Sequence, residues 1–331
     1  MRKASIKSVE VFLPDNIVYN DQIENRIRFG ADTAMETGVL GRLTGIKSRR
    51  FADDEIQVSD LACEAARKVI EANPDVKVDL LIFAAASSDL IEPATANIVQ
   101  IKLGLKCPVM DIKNACNSFV SAIHTASAFV ESGIFKNVLI VCGEKLSEVI
   151  NYTPRDYEHL MKCLAGYSLG DAGAAMLIGA DDGSKIVYQN FSSWGQYWNL
   201  STVKGGGSLA YRDLDKYYFE CDSKEMRTAF LCLGAGFFST CMTESGWKRE
   251  DISCVVSHQI SGNTTSLVSE CIGVPESKFV NTFAEFGNNA AATIPLALNH
   301  AINGRQVEKG DRLLLLGLAA GISISVQLIE W

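Results

Sequence analysis

In the stretch DIKNACNSFVSAIHTA, Asp111 to Ala126, a strand-like run stops at a cysteine and a helix of small apolar residues starts at once. A free cysteine is a good small core residue, so packing is one reason for a thiol at this junction. The start of a helix also offers unpaired N–H groups and the positive end of its dipole, and both favour a thiolate. The junction by itself leaves both readings open.

The surrounding pattern narrows them. Apolar, β-rich runs alternate with small-residue helical stretches, which signals an α/β fold with strands buried on both faces. The runs are DLLIFAAAS (79–87), PVMDIKN (108–114), NVLIVCGE (137–144) and AGAAMLIGA (172–180), then DISCVVSHQ (251–259), KFVNTF (278–283), RLLLLGLAAG (312–321) and ISISVQLIEW (322–331). MRKASIKSVEVFLP reads as a first strand. The two series are one pattern used twice: Asp79 and Asp251 open matching strands 172 residues apart, and Cys116 and Asn288 open helices with the same offset. That period is too long for a solenoid. The reading is a duplicated α/β half-domain, residues 1–180 carrying the cysteine and 181–331 the rest of the site. Packed about a pseudo-twofold axis, the two helix starts point into one central cavity.

Composition sets outer limits. The chain of 331 residues is 47% apolar and 21% charged, an ordinary globular balance. A net charge of −8 and a pI near 5.2 argue against nucleic acid or an anionic membrane as a partner. No apolar run approaches the ~20 residues of a membrane span, and the N-terminal run is too short and too alternating for a signal peptide. The ten cysteines sit inside apolar patterns such as LACEAA, VLIVCGE and FLCLGAG, without a CxxC pair or a Cys/His metal cluster. Reduced thiols and a cytoplasmic location follow as expectations.

Four histidines are present. His159, in the charged stretch RDYEH, reads as a solvated loop residue. His300 ends a helix pattern, where a cation suits the dipole, and His124 reads as a core residue two turns into the Cys116 helix. His258 differs: it follows an apolar strand, at the end where α/β proteins place ligands. A cysteine nucleophile needs a depressed pKa and a site for an oxyanion. The helix start supplies the first; the backbone amides of Cys116 and of Ala320, in the LAAG turn, supply the second. His258 and Asn288 then donate to a thioester carbonyl as it becomes an enolate, which suits carbon–carbon bond formation. A cysteine protease would instead need the histidine bonded to the thiol and oriented by a third residue.

NACNSF, SHQISGN and FGNNAAATIPLAL resemble the three active-site segments of the β-ketoacyl-ACP synthase III (FabH-like) branch of the thiolase superfamily. TGIKSRR and SLGDAGAAMLIG resemble further segments of that family, and the resemblance runs along nearly the whole chain in the right order. It implies the five-layer αβαβα thiolase fold, a homodimer, no bound cofactor, and Cys116, His258 and Asn288 as a catalytic triad. The substrates it implies are acyl-CoA or acyl carrier protein thioesters.

The sequence also departs from the FabH pattern. The tryptophan and arginine that bind CoA in FabH proteins fall here on Val39 and Leu43; Arg42 is the nearby substitute, with Thr44 and Phe119 as further substrate contacts. The family's GDGA segment reads GDAGA. Lys47, Arg49 and Arg50 form a basic group suited to an acidic carrier protein. In DLIEPATANIV, Glu92 stands where FabH has an apolar residue, and it matches the glutamate of OleA-like head-to-head ketosynthases, which enters the partner's site as a base. Proton removal α to a thioester needs such a base, whereas decarboxylation does not. The stretch 145–168 is longer than in a compact FabH and is placed as a cap on an acyl tunnel. The expectation is therefore a non-decarboxylative Claisen condensation, with FabH-like extension of malonyl-ACP as the alternative. Acyl transfer to an alcohol or amine, and a non-catalytic subunit, are disfavoured because Asn288 and Cys116 are both present.

Overall fold

The computed structural model describes residues 3–180 and 183–331. The boundary placed between 180 and 181 falls against residues 181 and 182, which lie outside the described residues. Nine strands form the main sheet: β1 (Ala4–Phe12), β2 (Leu80–Ala84), β3 (Val109–Ile112), β4 (Val138–Glu144), β5 (Ala172–Ala180), β6 (Ser184–Ser193), β7 (Cys254–Ser257), β8 (Arg312–Ala319) and β9 (Ser323–Glu330). Their order is β7-β8-β9-β6-β1-β5-β4-β2-β3.

Read outward from the centre, the two sides are the same. β1-β5-β4-β2 pairs antiparallel, antiparallel, then parallel, and β6-β9-β8-β7 repeats that sequence. β3 adds to β2 in parallel, and its counterpart is the single parallel bridge Val255–Phe279. This is the duplicated α/β pattern read from the two strand series. KFVNTF is the exception, because it does not run on as a strand. The Gln259 side chain accepts the Thr282 and Phe283 amides (2.9 and 3.2 Å), and a one-turn helix, Phe283–Phe286, starts there instead.

Among the described residues, β1 and β6 pair through Ser5–Lys185 and Ile6–Ser184. Beyond that seam the half-sheets part, and the helices α3 (Ser118–Glu131) and α6 (Thr293–Asn303) fill the space between them. Both helices bury residues around most of their circumference, as interior helices do. Each also bonds across to the other half. Gln327 Nε2 on β9 donates to the Val120 carbonyl of α3 (2.8 Å), and Asn299 Nδ2 on α6 donates to the Val9 carbonyl of β1 (2.9 Å). The outer faces carry α1 (Val58–Ala72) and α2 (Thr95–Leu103) on one side, α4 (Ser223–Ser245) and α5 (Gly262–Ile272) on the other. The result is the αβαβα thiolase architecture. Among the described residues no helix is long and apolar enough to cross a membrane.

α1 lies closer to its strands than side chains would allow. A Cβ on Gly143 would overlap the Val58 carbonyl, and one on Gly173 the Leu61 carbonyl. Backbone cannot move aside as a flexible side chain can, so overpacking here costs about 1–3 kcal/mol or more. Gly173→Ala is expected to lower the urea midpoint of unfolding with little change in slope; a wild-type midpoint would show that α1 is free to shift outward.

Candidate active site

Between β3 and α3 the chain makes a tight turn. Ala115, just before the cysteine, takes φ +47°, in the left-handed region that costs a non-glycine residue about 1 kcal/mol or more. The turn is held by the Asn117 and Ser118 amides, donating to the Asn114 and Ala115 carbonyls at 3.0 Å each. Ser118 Oγ accepts from the Asn114 amide (2.8 Å) and donates to the Ala115 carbonyl (2.7 Å). Asn117 ties this turn to the other half, its Nδ2 donating to the carbonyl (3.0 Å) and hydroxyl (2.9 Å) of Ser323. Ala320 lies in the β8–β9 turn that ends at Ser323, and its amide makes no backbone hydrogen bond among the described residues. The expected oxyanion donor is therefore beside the Cys116 turn.

The second half repeats the device. Gly287, just before Asn288, takes φ +68°, and a Cβ there would stand 2.5 Å from the Ser168 carbonyl. Ser168 and Gly170, from the SLGD segment, clamp Asn288: its amide donates to the Ser168 carbonyl (2.8 Å), and the Gly170 amide donates to its carbonyl (3.0 Å). Asn288 Oδ1 accepts from the Ala290 amide (3.0 Å), which leaves the side-chain NH₂ as the donating end. His258 follows β7, its amide bonded to the Leu316 carbonyl (2.9 Å) and its ring buried. That ring hydrogen-bonds the Ala290 backbone, while its Nδ1 has no partner among the described residues. Ala290 packs in the same buried cluster as Cys116. Asn288 and His258 thus meet at one alanine, in the buried cluster against which Cys116 packs.

Burial controls the charge states. It pushes the Cys116 thiol up to about 12, with the Glu144 carboxylate adding to the effect and the cysteine's own amide opposing it. This runs against the expectation of a thiol depressed by its helix start: lost solvation and a nearby carboxylate both raise it. Burial also lowers His258 to about 4, opposed by its bond to the Ala290 backbone. The resting pair is a neutral thiol and a neutral imidazole, so the sulfur becomes a nucleophile only as its proton leaves.

The remaining expected residues fall in several places. Glu92 is exposed, on the loop between β2 and α2 beside exposed Leu90 and Ile91. That loop is pinned at both ends. Glu144 accepts from Ala86 and Ser87 at its start, and Asp111 accepts the Thr95 and Ala96 amides (2.8 and 2.9 Å) at its end. Arg42 and Lys47 are exposed near the short helix Val39–Thr44, which Glu24 caps through the Gly38 and Leu40 amides (2.7 Å each). Asn263 of α5 reaches the Leu43 carbonyl (3.4 Å), so this helix stands at the mouth beside His258's loop.

Expectations at five residues need correction. Arg49 is 1% exposed, its guanidinium bonded to Asn20 Oδ1 (2.9 Å) and the Tyr167 carbonyl (2.8 Å), so it holds the core and meets no carrier protein. Arg50 is half-buried and donates to the Pro14 and Asp15 carbonyls (3.2 and 3.0 Å). Thr44 spends its hydroxyl on the Leu40 carbonyl and the Ile46 amide, and Phe119 is wholly buried in the main core. His159 is buried rather than solvated. Its Nδ1 accepts from the Arg155 amide, so its Nε2 donates to Glu220 (3.1 Å), joining the 145–168 excursion to the hairpin Ser201–Val203/Phe219–Cys221. That excursion packs Leu146, Ile150, Leu160 and Tyr167 into the cluster containing Cys116.

Sequence reasoning missed Glu144 and Asp171. Both are buried carboxylates beside the site, Asp171 holding the Ala52 amide (2.8 Å) and the Ser147 amide and hydroxyl (2.9 and 2.7 Å). The available signal was a lone acid ending the otherwise apolar strand VLIVCGE.

A buried neutral histidine makes stability depend on pH. His258 titrates near 6.5 when unfolded and near 4 when folded, so between these values the unfolded chain binds more protons. Stability contributed by the neutral ring is intact above ~6.5 and is lost as pH falls toward 4, at up to about 1.4 kcal/mol per pH unit. Urea titrations across this window should show a shallower loss for His258→Asn; identical slopes would place a charged ring in the folded protein. Iodoacetamide modification of Cys116 should still accelerate above pH ~9, because the thiol stays protonated through neutrality.

Residues 110–195 match the family described as 3-oxoacyl-[acyl-carrier-protein (ACP)] synthase III, and residues 242–331 match its C-terminal counterpart. The beta-ketoacyl-[acyl-carrier-protein] synthase III of Neisseria gonorrhoeae is 30% identical over 335 residues, with 100% of both chains covered. That of Chlamydia muridarum is 30% identical over 338 residues, with 99% of each covered. Among solved structures, OleA of Xanthomonas campestris superimposes with a TM-score of 0.89 at 26% identity, covering 99% of this chain and 98% of that one. The 3-oxoacyl-[acyl-carrier-protein] synthase III of Aquifex aeolicus gives 0.85 at 27%, covering 99% and 100%. Full-length identity, the repeated sheet order and the two family matches agree: the chain belongs to the 3-oxoacyl-[acyl-carrier-protein] synthase III family of thiolase-fold acyltransferases.

Proposed function

We propose that this condensing enzyme joins two acyl thioesters without decarboxylation, residues 1–180 supplying Cys116 and residues 181–331 supplying His258 and Asn288. The observation that carries the route is Glu92, held on an exposed loop pinned at its start by buried Glu144 and at its end by Asp111. Leu90 and Ile91 beside it are 49% and 73% exposed, an apolar apex suited to entering a second copy's acyl pocket. β3 ends the sheet with an open edge, which pairing with a second copy would cover. A homodimer follows, with Glu92 completing the partner's site. OleA variants with a substituted cysteine and histidine have the same interval between those residues as separates Cys116 from His258. The glutamate substituted in another OleA variant lies two residues further from its cysteine than Glu92 does from Cys116.

The chemistry runs in two stages. Cys116 sulfur attacks the first thioester carbonyl as its proton passes to His258, and the amides of Cys116 and Ala320 hold the oxyanion. The carrier thiolate leaves and takes that proton, which restores neutral His258 and an acylated cysteine. Glu92 from the partner then removes the α-proton of the second thioester. The enolate oxygen is held by His258 and the Asn288 NH₂, and its carbon attacks the Cys116 thioester, expelling the Cys116 thiolate, which regains as a thiol the proton that Glu92 removed. The substrate thiols are those of acyl-CoA or acyl carrier protein, and the scheme uses no bound cofactor. A second reading, decarboxylative extension of malonyl-ACP, is favoured by the full-length relatives named β-ketoacyl-ACP synthase III.

Intact-mass measurement with an accepted acyl thioester should add one acyl group per chain, and Cys116→Ala should abolish it. Because the thiol is not pre-ionised, His258→Ala should slow acylation as well as condensation. Asn288→Ala should spare acylation and slow condensation by ~100–1000-fold, the usual worth of one oxyanion donor. Acylation of a different cysteine would remove the assignment.

Glu92→Gln separates the two routes. It should leave acylation intact and abolish condensation of two non-carboxylated thioesters, while extension with malonyl-ACP would be almost unaffected. Freshly exchanged dimers of Glu92→Gln and Cys116→Ala chains should regain activity, since one hybrid site holds an intact cysteine and an intact glutamate. Absence of rescue would mean that Glu92 does not act across the interface.

A further inference from the structure

Glu144 is a wholly buried carboxylate whose charge bears on the Cys116 sulfur, and the two-stage chemistry gives it no task. It ends β4 in apolar surroundings, where an ionised group costs several kcal/mol unless it is well bonded. Its bonds are unusually distributed. Oε1 accepts from the Ala86 amide (2.7 Å) and the Ala291 amide (3.3 Å); Oε2 accepts from the Ser87 amide (3.0 Å) and hydroxyl (2.7 Å).

Those donors come from two catalytic segments in different halves of the chain. Ala86 and Ser87 start the loop that carries Glu92. Ala291 follows Ala290, whose amide bonds the Asn288 side chain and whose backbone meets His258. Neighbouring amides of one turn are thus divided between Asn288 and Glu144. Four donors face its two oxygens, a pattern that suits a carboxylate; a glutamine would turn an NH₂ toward one set of donors.

We propose that Glu144 is a positioning residue of the catalytic centre, a buried carboxylate that holds the Glu92 loop and the Asn288 turn in one frame beside Cys116. Its charge has a second consequence, because it opposes a free thiolate at Cys116 and keeps the sulfur inert until a substrate is in place. The titratable groups acting on that sulfur are Glu144 and, as a smaller influence, Cys221 from the hairpin above it. This inference rests on Cys116 as the acylated residue.

The test compares Glu144→Gln, Glu144→Asp and Ser87→Ala in the full chain. Iodoacetamide modification of Cys116, read by peptide mass across pH, needs no substrate and so is independent of the proposed reaction. Glu144→Gln should move that profile down by about one pH unit, as removing a nearby like charge does, and Glu144→Asp should return most of the way to wild type. Condensation should lose kcat by ~10–100-fold in Glu144→Gln with KM little changed, the effect expected of misplaced groups. Ser87→Ala, which removes one bond and keeps the charge, should slow condensation and leave the alkylation profile alone. If Gln and Asp variants share the wild-type alkylation profile and differ only in melting temperature, Glu144 is structural and the proposal fails. Normal condensation by Ser87→Ala would overturn it as well, even if Glu144→Gln did not fold. Condensation surviving in Cys116→Ala would instead refute the reading on which it rests.

Discussion

Among the described residues the half-sheets pair with one another at Ser5–Lys185 and Ile6–Ser184, and the site depends on how they part beyond that seam. Parting opens a slot that two apolar helices fill, and each must then begin at the mouth of the slot. The turns before them are constrained because backbone packs on backbone. Ala115 and Gly287 both adopt left-handed conformations, and the carbonyl of Ser168 closes directly on Gly287. A Cβ on Gly317 would likewise overlap Asn117 Oδ1. Cys116 and Asn288 are therefore presented by a scaffold that has little freedom to move them.

The same burial that gives precision removes charge. Cys116 rises and His258 falls, so neither carries charge at neutral pH in the resting protein. In the proposed reaction a neutral pair would meet a neutral thioester without giving up ionic solvation. The cost appears in the acids that hold the scaffold. Glu144 and Asp171 are both raised by burial, and both are stabilised by several backbone and serine donors.

Much of the fold was legible because it follows from periodicity. The strand AGAAMLIGA and the offset of 172 between Cys116 and Asn288 could be read directly, since a buried strand and a duplicated half leave marks in any sequence. KFVNTF was misread because its amides are taken by a side chain, Gln259, that lies far from it in sequence. Arg49 and His159 were placed at the surface on residue type alone. Their partners, buried Tyr167 and half-buried Glu220, are supplied by segments more than 60 residues away.

What the sequence determined by itself was therefore the α/β repeat, the residues that open the inner helices, and the candidate cysteine, histidine and asparagine. These depend on local pattern and on chemistry carried by single residues. Only the tertiary structure decided the charge states and the partners: that the Cys116 thiol is held up rather than down, and that Glu144 joins two catalytic segments. Desolvation is a property of everything packed around a group, and hydrogen bonds between halves depend on how the sheets part, so neither is written in any one stretch of the chain.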